Sequence, residues 1–131
     1  MADFDALVLA MRAARTTEGI MAVYEPMFRL ESWFLLSDPE DPSGPMQWRF
    51  EKGLEPSPCV LVYTDAERAK RQAAQVGATL GASIEVWSIA VPRALAWFRS
   101  GALGVSWACV NLAPGSANFP LYFHQIDELA I

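Results

Sequence analysis

Cysteine and histidine are the side chains in this sequence that could serve as a nucleophile and a base. The chain has two cysteines, Cys59 and Cys109, and one histidine, His124. A Cys–His pair catalyses group transfer when the thiol is deprotonated in an electropositive, partly exposed setting. Both cysteines instead lie in apolar, strand-like runs, where cysteine is typically a small core side chain. We therefore predict no catalytic residue, and so few ligands also predict no metal site.

Polar residues at the ends of predicted strands and the starts of predicted helices form a second candidate site. Ligands of open α/β sheets bind at the carboxyl ends of the strands, which is where these residues fall. Helix capping also explains the first two, and a plain surface position explains the arginine, so both interpretations remain open. The candidate ligand-binding set is Thr64, Asp65, Arg93, Asn111 and Ser116.

Nucleotide cofactors are not expected at this predicted rim. The turn that follows Asn111 lacks the glycines of a dinucleotide fingerprint. It also lacks the Gly-Lys-Ser/Thr of a phosphate-binding loop. We therefore predict that the protein has no cofactor.

The element that positions these residues is the stretch from Pro58 to Gly77. Residues 59–63 are apolar or aromatic, which predicts a buried strand. Thr64 and Glu67 fit a capping box, which predicts a helix that Gly77 ends as a left-handed cap. Polar residues near Thr64 therefore mark the end of a central strand.

Two further strands follow this helix. Residues 84–91 and 105–110 have strand patterns, and a helix between them begins at Pro92 and ends at Gly101. Residues 119–129 repeat apolar side chains at helical spacing, which predicts a C-terminal helix. Right-handed crossovers of this kind place the three strands in one sheet, all parallel or with one of mixed direction at an edge.

The N-terminal part of the sequence predicts two helices and a hairpin. Residues 4–15 form the first helix, and the second begins with Thr17 as its cap and stops near Tyr24 because Pro26 lacks a backbone donor. Residues 33–36 and 46–50 read as strands paired across a long loop rich in proline. The prediction is a single domain over residues 1–131 of α/β or α+β class, in which a β-α-β-α-β core and its helices share one mixed sheet.

Composition argues for a protein partner. The formal charge of −5 disfavours nucleic acid and anionic membranes. An apolar content of 53% and five tryptophans favour a partner surface or a homodimer, and the alternative is that the tryptophans fill core positions. Two reduced core cysteines and an acidic N-terminus favour the cytoplasm. The candidate partner-binding residues are the aromatic anchors Trp48 and Trp107 and the acidic loop residues Asp38, Glu40 and Asp41.

Three segments of the sequence resemble the SseB-like (enhanced serine sensitivity) N-terminal domain family. They are residues 60–65 with Arg68 and Ala69, Val91-Pro92 with Leu95, and Val110-Asn111 with residues 114–116. Leu112 and Ala113 depart from the family pattern, in which Asn and Pro are adjacent. The resemblance, over roughly residues 30–118, implies a bacterial α/β or α+β domain with no established catalytic activity, so it supplies no catalytic residues to carry over.

The two functional hypotheses belong to different classes. The first is a non-enzymatic protein-binding or adaptor domain, with self-association as one form of it. The alternative is a small-molecule sensor or weak enzyme whose site lies at the carboxyl ends of the central strands. An exposed apolar surface would favour the first, and a closed pocket in which Asp65 and Arg93 converge would favour the second.

Overall fold

A computed structural model describes residues 3–40, 44–48, 58–113 and 117–126. Its helices and strands confirm the predicted α/β class with one mixed sheet. The helices are α1 (Phe4–Ala14), α2 (Thr17–Phe28), α3 (Ala66–Leu80) and α4 (Val91–Ser100). The strands are β1 (Ser32–Ser37), β2 (Gln47–Trp48), β3 (Cys59–Tyr63), β4 (Glu85–Ala90), β5 (Trp107–Val110) and β6 (Phe119–Tyr122).

The sheet has the strand order β4-β1-β3-β5-β6, and β2 pairs with β3 beside this path. β3 and β5 are parallel neighbours. β1 lies antiparallel to both β3 and β4, so β4 runs in the same direction as β3 and β5. The prediction that these three strands share one sheet is therefore confirmed, although β1 separates β4 from β3.

Helices cover both faces of the sheet. On one face, hereafter the α4 face, α1, α2 and α4 pack over a core that includes Trp33, Leu35 and Val62. On the other face α3 packs its small residues Ala69 and Ala73 against the sheet. β3 is buried along its whole length because it lies between the two layers.

The predicted hairpin of residues 33–36 and 46–50 is wrong in its pairing over the described residues, and residues 49 and 50 lie outside them. β1 and β2 both lie antiparallel to β3 and therefore run in the same direction. After Leu36 the chain leaves β3, and it returns where the backbone N–H of Met46 donates to the Leu36 carbonyl at 2.8 Å. The antiparallel neighbours along the chain are thus β2 and β3.

The boundaries of α2 and α3 differ from the prediction. α2 continues through Pro26 to Phe28, since Val23, Tyr24 and Met27 bury their side chains in the core. α3 begins after Asp65, whose side chain accepts from the Arg68 N–H at 2.8 Å, rather than after Thr64. It continues past Gly77 and ends at Gly81, which adopts the left-handed conformation at φ 67°.

The predicted C-terminal helix is wrong over residues 119–122. These residues form β6, antiparallel to β5, and a short 3-10 turn over Phe123–Gln125 follows. Phe119 and Leu121 are buried while Pro120 and Tyr122 are partly exposed, which is the alternation of a strand. The rest of the predicted helix, residues 127–129, lies outside the described residues.

Candidate functional site

Thr64 and Asn111 meet where the parallel strands β3 and β5 end. The Asn111 amide oxygen accepts from the Thr64 backbone N–H at 3.0 Å and from its hydroxyl at 3.2 Å, and the amide nitrogen donates back to that hydroxyl at 3.0 Å. The Asn111 backbone N–H donates to the Val62 carbonyl at 2.8 Å. The Asn111 side chain thus continues the ladder between the strands by one residue. This explains why an asparagine holds the left-handed backbone there, at φ 60°.

An ion-pair cluster lies next to this pair. The Arg68 guanidinium donates to Asp65 at 2.9 Å and to Asp5 at 3.1 Å, and so joins the start of α3 to the first turn of α1. Asp5 also accepts from the Ala117 backbone N–H at 2.9 Å. The hydrogen bond from Arg68 is the main reason that the pKa of Asp5 lies below its ordinary value of 3.8, although desolvation opposes it.

Acid is expected to remove the stabilisation that Asp5 contributes. Because its pKa is lower in the folded state, this contribution is complete above the unfolded value and is lost as the pH falls from about 4 downward. In urea unfolding from about pH 7 to pH 2.5, the stability difference between the native protein and Asp5→Asn should shrink below about pH 4. Glu67→Gln, on the exposed side of α3, is the control. A pH-independent difference for Asp5→Asn would contradict this assignment.

Arg93, another residue of the predicted ligand set, does not join this cluster. Arg93 is exposed in the first turn of α4. No hydrogen bond or ion pair joins it to Asp65 within the described ranges. The strand that precedes α4, β4, is two positions away from β3 in the sheet. Ser116 lies outside the described residues.

The predicted aromatic anchors contribute to packing instead of forming an exposed patch. Trp107 is only 7% exposed and packs with Cys59 and Cys109 on the face that α3 covers. Trp48 is partly buried against the same cluster. In the acidic loop Asp38 accepts from the Glu40 backbone N–H at 2.9 Å, and Glu40 is exposed. Asp41 lies outside the described residues.

Both cysteines are free and buried in the strands β3 and β5. Burial raises the pKa of the Cys59 thiol to about 11 and that of Cys109 to about 12. These thiols are protonated at neutral pH, which opposes a role as nucleophiles. His124, the other residue of the hypothetical dyad, is exposed near the C-terminal end of the described chain.

Thiol labelling gives a direct check of this burial. We expect neither Cys59 nor Cys109 to react with a thiol reagent at pH 8 on the time scale in which an exposed cysteine reacts completely. In denaturant both should react, which is the internal control. Rapid labelling of either residue in the native protein, followed by mass spectrometry, would show that its strand is open to solvent.

Two surface depressions lined by described residues lie away from the strand-end rim. One, of about 300 Å³, is bordered by Met11, Arg15, Ile20 and Pro120, where the α1–α2 corner meets β6. The other, of about 490 Å³, lies where α3 ends, and mostly alanine and glycine line it. Within the described ranges no group of three or more His, Cys, Asp or Glu could hold a metal ion.

The two outer strands of the sheet differ in how their free edges are protected. β6 contains Pro120, whose carbonyl accepts from the Tyr24 hydroxyl, and the Asn118 carbonyl before it accepts from Arg12. β4 contains neither proline nor a basic residue, and only Glu85 is charged. Among the described residues no strand pairs with its outer side. An apolar edge of this kind is a template for another strand.

The backbone groups that β4 presents outward can be assigned from its pairing with β1. All six β4 residues face β1 in one register, from Ser32 opposite Ala90 to Ser37 opposite Glu85. The same register continues to Glu31, whose carbonyl accepts from the Val91 N–H at 3.1 Å. Hydrogen-bonded pairs alternate along an antiparallel ladder. The N–H and C=O groups of Val86, Ser88 and Ala90 therefore point away from the sheet.

Comparisons with known proteins returned no match, either among protein-family models or among curated proteins. The resemblance to the SseB-like family therefore stays a prediction. In the part of the chain that the structure describes, no helix has the length and apolar character needed to span a membrane.

Proposed function

We propose that this chain is a non-enzymatic protein-interaction domain that holds another polypeptide strand against the open edge of β4. The observation that carries the proposal is the contrast between this unprotected edge and β6, which proline and side-chain contacts protect. Natural sheets usually blunt an edge of this length and apolarity. Strand addition would turn the outward groups of Val86, Ser88 and Ala90 into a hydrogen-bonded ladder.

The strand-end rim supports the alternative, a small-molecule sensor or weak enzyme, less well. Thr64 and Asn111 hydrogen-bond to each other, and Arg68 engages both Asp65 and Asp5. A ligand would have to break these contacts to use the same groups, at a cost of about 1–3 kcal/mol for each buried polar group left unmatched. The two depressions described above do not include these residues.

Cytoplasmic location and membership of the SseB-like family are parts of the same proposal. Two buried thiols that remain unpaired suit a reducing compartment. The α/β fold agrees with what the family resemblance implies. Membership of the family rests only on the three sequence segments that resemble it.

Site-directed photo-cross-linking in host cells tests this function. A photoreactive residue at Ser88 should cross-link to a polypeptide identifiable by mass spectrometry, while the same residue at Lys70, exposed on α3, should not. Absence of a cross-link at Ser88, or equal products at both positions, would overturn the proposal. A thermal-shift screen with metabolites tests the small-molecule alternative. A metabolite that stabilises the protein, in the absence of a cross-link at position 88, would favour that alternative.

A further inference from the structure

We infer that the polypeptide on the β4 edge is a second copy of this chain, paired antiparallel with the first about a two-fold axis at Ser88. This inference rests on the proposed function and specifies its partner. A two-fold interface requires one surface to complement itself. The backbone pattern and the apolar side chains of β4 meet that requirement, and so do the charges of Glu85 and Arg93.

The backbone sets the register. A two-fold axis between the edges pairs residues whose outward groups face each other, so Ser88 lies opposite Ser88 and Val86 lies opposite Ala90 of the second copy. Each such pair exchanges two hydrogen bonds, so this register makes about six, using every outward group of the strand. A shift by two residues leaves part of this ladder unpaired.

Apolar side chains meet on the α4 face in the same register. Trp87 and Ile89 alternate along β4 with the residues whose backbone N–H and C=O groups point outward. Their side chains pack partly against the core beneath α4. Across the interface Trp87 lies opposite Ile89 of the second copy, and the two-fold axis repeats this pair. Aromatic and β-branched residues in such cross-strand pairs are favourable. The pairing therefore covers two side chains that the single chain leaves partly exposed.

Charge complementarity is what favours a second copy over an unrelated strand. Glu85 shares the α4 face with Trp87 and lies opposite Val91 of the second copy, two residues from Arg93. Arg93 is exposed in the first turn of α4, where a cation opposes the helix dipole. The N-cap of α4, Ala90, makes no side-chain hydrogen bond. Glu85 of the second copy would supply the anion that this helix start lacks.

Neither charge has an opposite charge paired with it among the described residues of its own chain. In the described segments, Glu85 and Arg93 make no ion pair with any other residue. The antiparallel arrangement brings each next to the opposite charge of the other copy, on both sides of the axis. The same two residues therefore act twice in one interface, which a partner of unrelated sequence would not reproduce.

Self-association of the purified full chain is the first measurement. Light scattering and sedimentation across a concentration series should give a mass that rises from 14.4 kDa to twice that value. Ser88→Pro should weaken the dimer on the order of a hundredfold, because proline removes both central N–H donors. It should spare the β1–β4 ladder, whose hydrogen bonds use the other residues of β4. Ser88→Thr keeps the donor and is the matched control.

A charge exchange tests the register and does not depend on proline being tolerated. Glu85→Arg and Arg93→Glu should each weaken self-association roughly tenfold, because each homodimer then brings like charges together twice. A mixture of the two variants should form a heterodimer near native affinity, since both contacts become complementary again. Circular dichroism of each variant verifies its fold.

Three outcomes would overturn the inference. A native chain that stays at 14.4 kDa at all concentrations excludes the second copy. A dimer unaffected by Ser88→Pro uses another surface, and single-charge variants whose mixture does not recover affinity refute the register. If the chain is monomeric while a photoreactive residue at position 88 cross-links to a different protein, the proposed function stands and only this inference fails.

Discussion

Replacing Asn111 with alanine is expected to lower the free energy of unfolding by about 3 kcal/mol. Asn111 is fully buried, and its amide oxygen accepts from the Thr64 backbone N–H at 3.0 Å. Without that acceptor a buried donor is left unsatisfied, which costs about 1–3 kcal/mol. Alanine would also have to keep φ near 60°, in a region that asparagine tolerates better. Urea unfolding followed by tryptophan fluorescence measures the change.

Two further variants separate the contributions at this position. Asn111→Gly relieves the backbone strain but still loses the hydrogen bonds, so it should recover only about 1 kcal/mol. Thr64→Val removes only the hydroxyl contacts, at 3.2 and 3.0 Å, and should cost about 1 kcal/mol. An Asn111→Ala variant as stable as the native protein would mean that Asn111 does not close the ladder, and would return it to the set of free ligand-binding candidates.

The elements predicted well from sequence are those whose ends carry their own local signal. The continuous apolar run of β3 and the Pro92 and Gly101 boundaries of α4 depend on residues adjacent in the chain. β6 lacked such a signal. Its four residues contain Pro120, and the spacing of apolar residues that begins at Phe119 imitates a helix. Pairing with β5 at the edge of the sheet decides the outcome there, and a local pattern does not contain that pairing.

The prediction from sequence placed Thr64 and Asn111 correctly at strand ends, because the two strands that precede them were recognisable. It could not show that β1 inserts between β3 and β4, which separates Arg93 from Asp65. It also missed the Asp5–Arg68 ion pair, because the partners are far apart in the chain and only the folded chain brings the first turn of α1 to the first turn of α3. The open edge of β4 was hidden for the same reason, since strand order is a long-range property.

Gly77→Ala is expected to lower the free energy of unfolding by about 2 kcal/mol. Helix propensity alone predicts the opposite, a gain of about 1 kcal/mol for alanine inside a helix. Gly77 is buried within α3, and a Cβ there would lie 2.5 Å from the Ala82 carbonyl oxygen. That oxygen belongs to backbone, which is held by the Ala82 N–H donating to the Gly77 carbonyl at 2.9 Å. Steric overlap should therefore outweigh propensity.

Two controls in the same chain isolate that steric cause. Gly44→Ala introduces a Cβ that meets nothing within 4 Å, so it should change stability by less than about 0.5 kcal/mol. Ala74→Gly, on the exposed side of α3, should cost about 1 kcal/mol through propensity alone. A Gly77→Ala variant more stable than the native protein would show that the turn into β4 is not packed against α3. The assigned position of the open β4 edge would then also have to be revised, because this turn fixes where β4 begins.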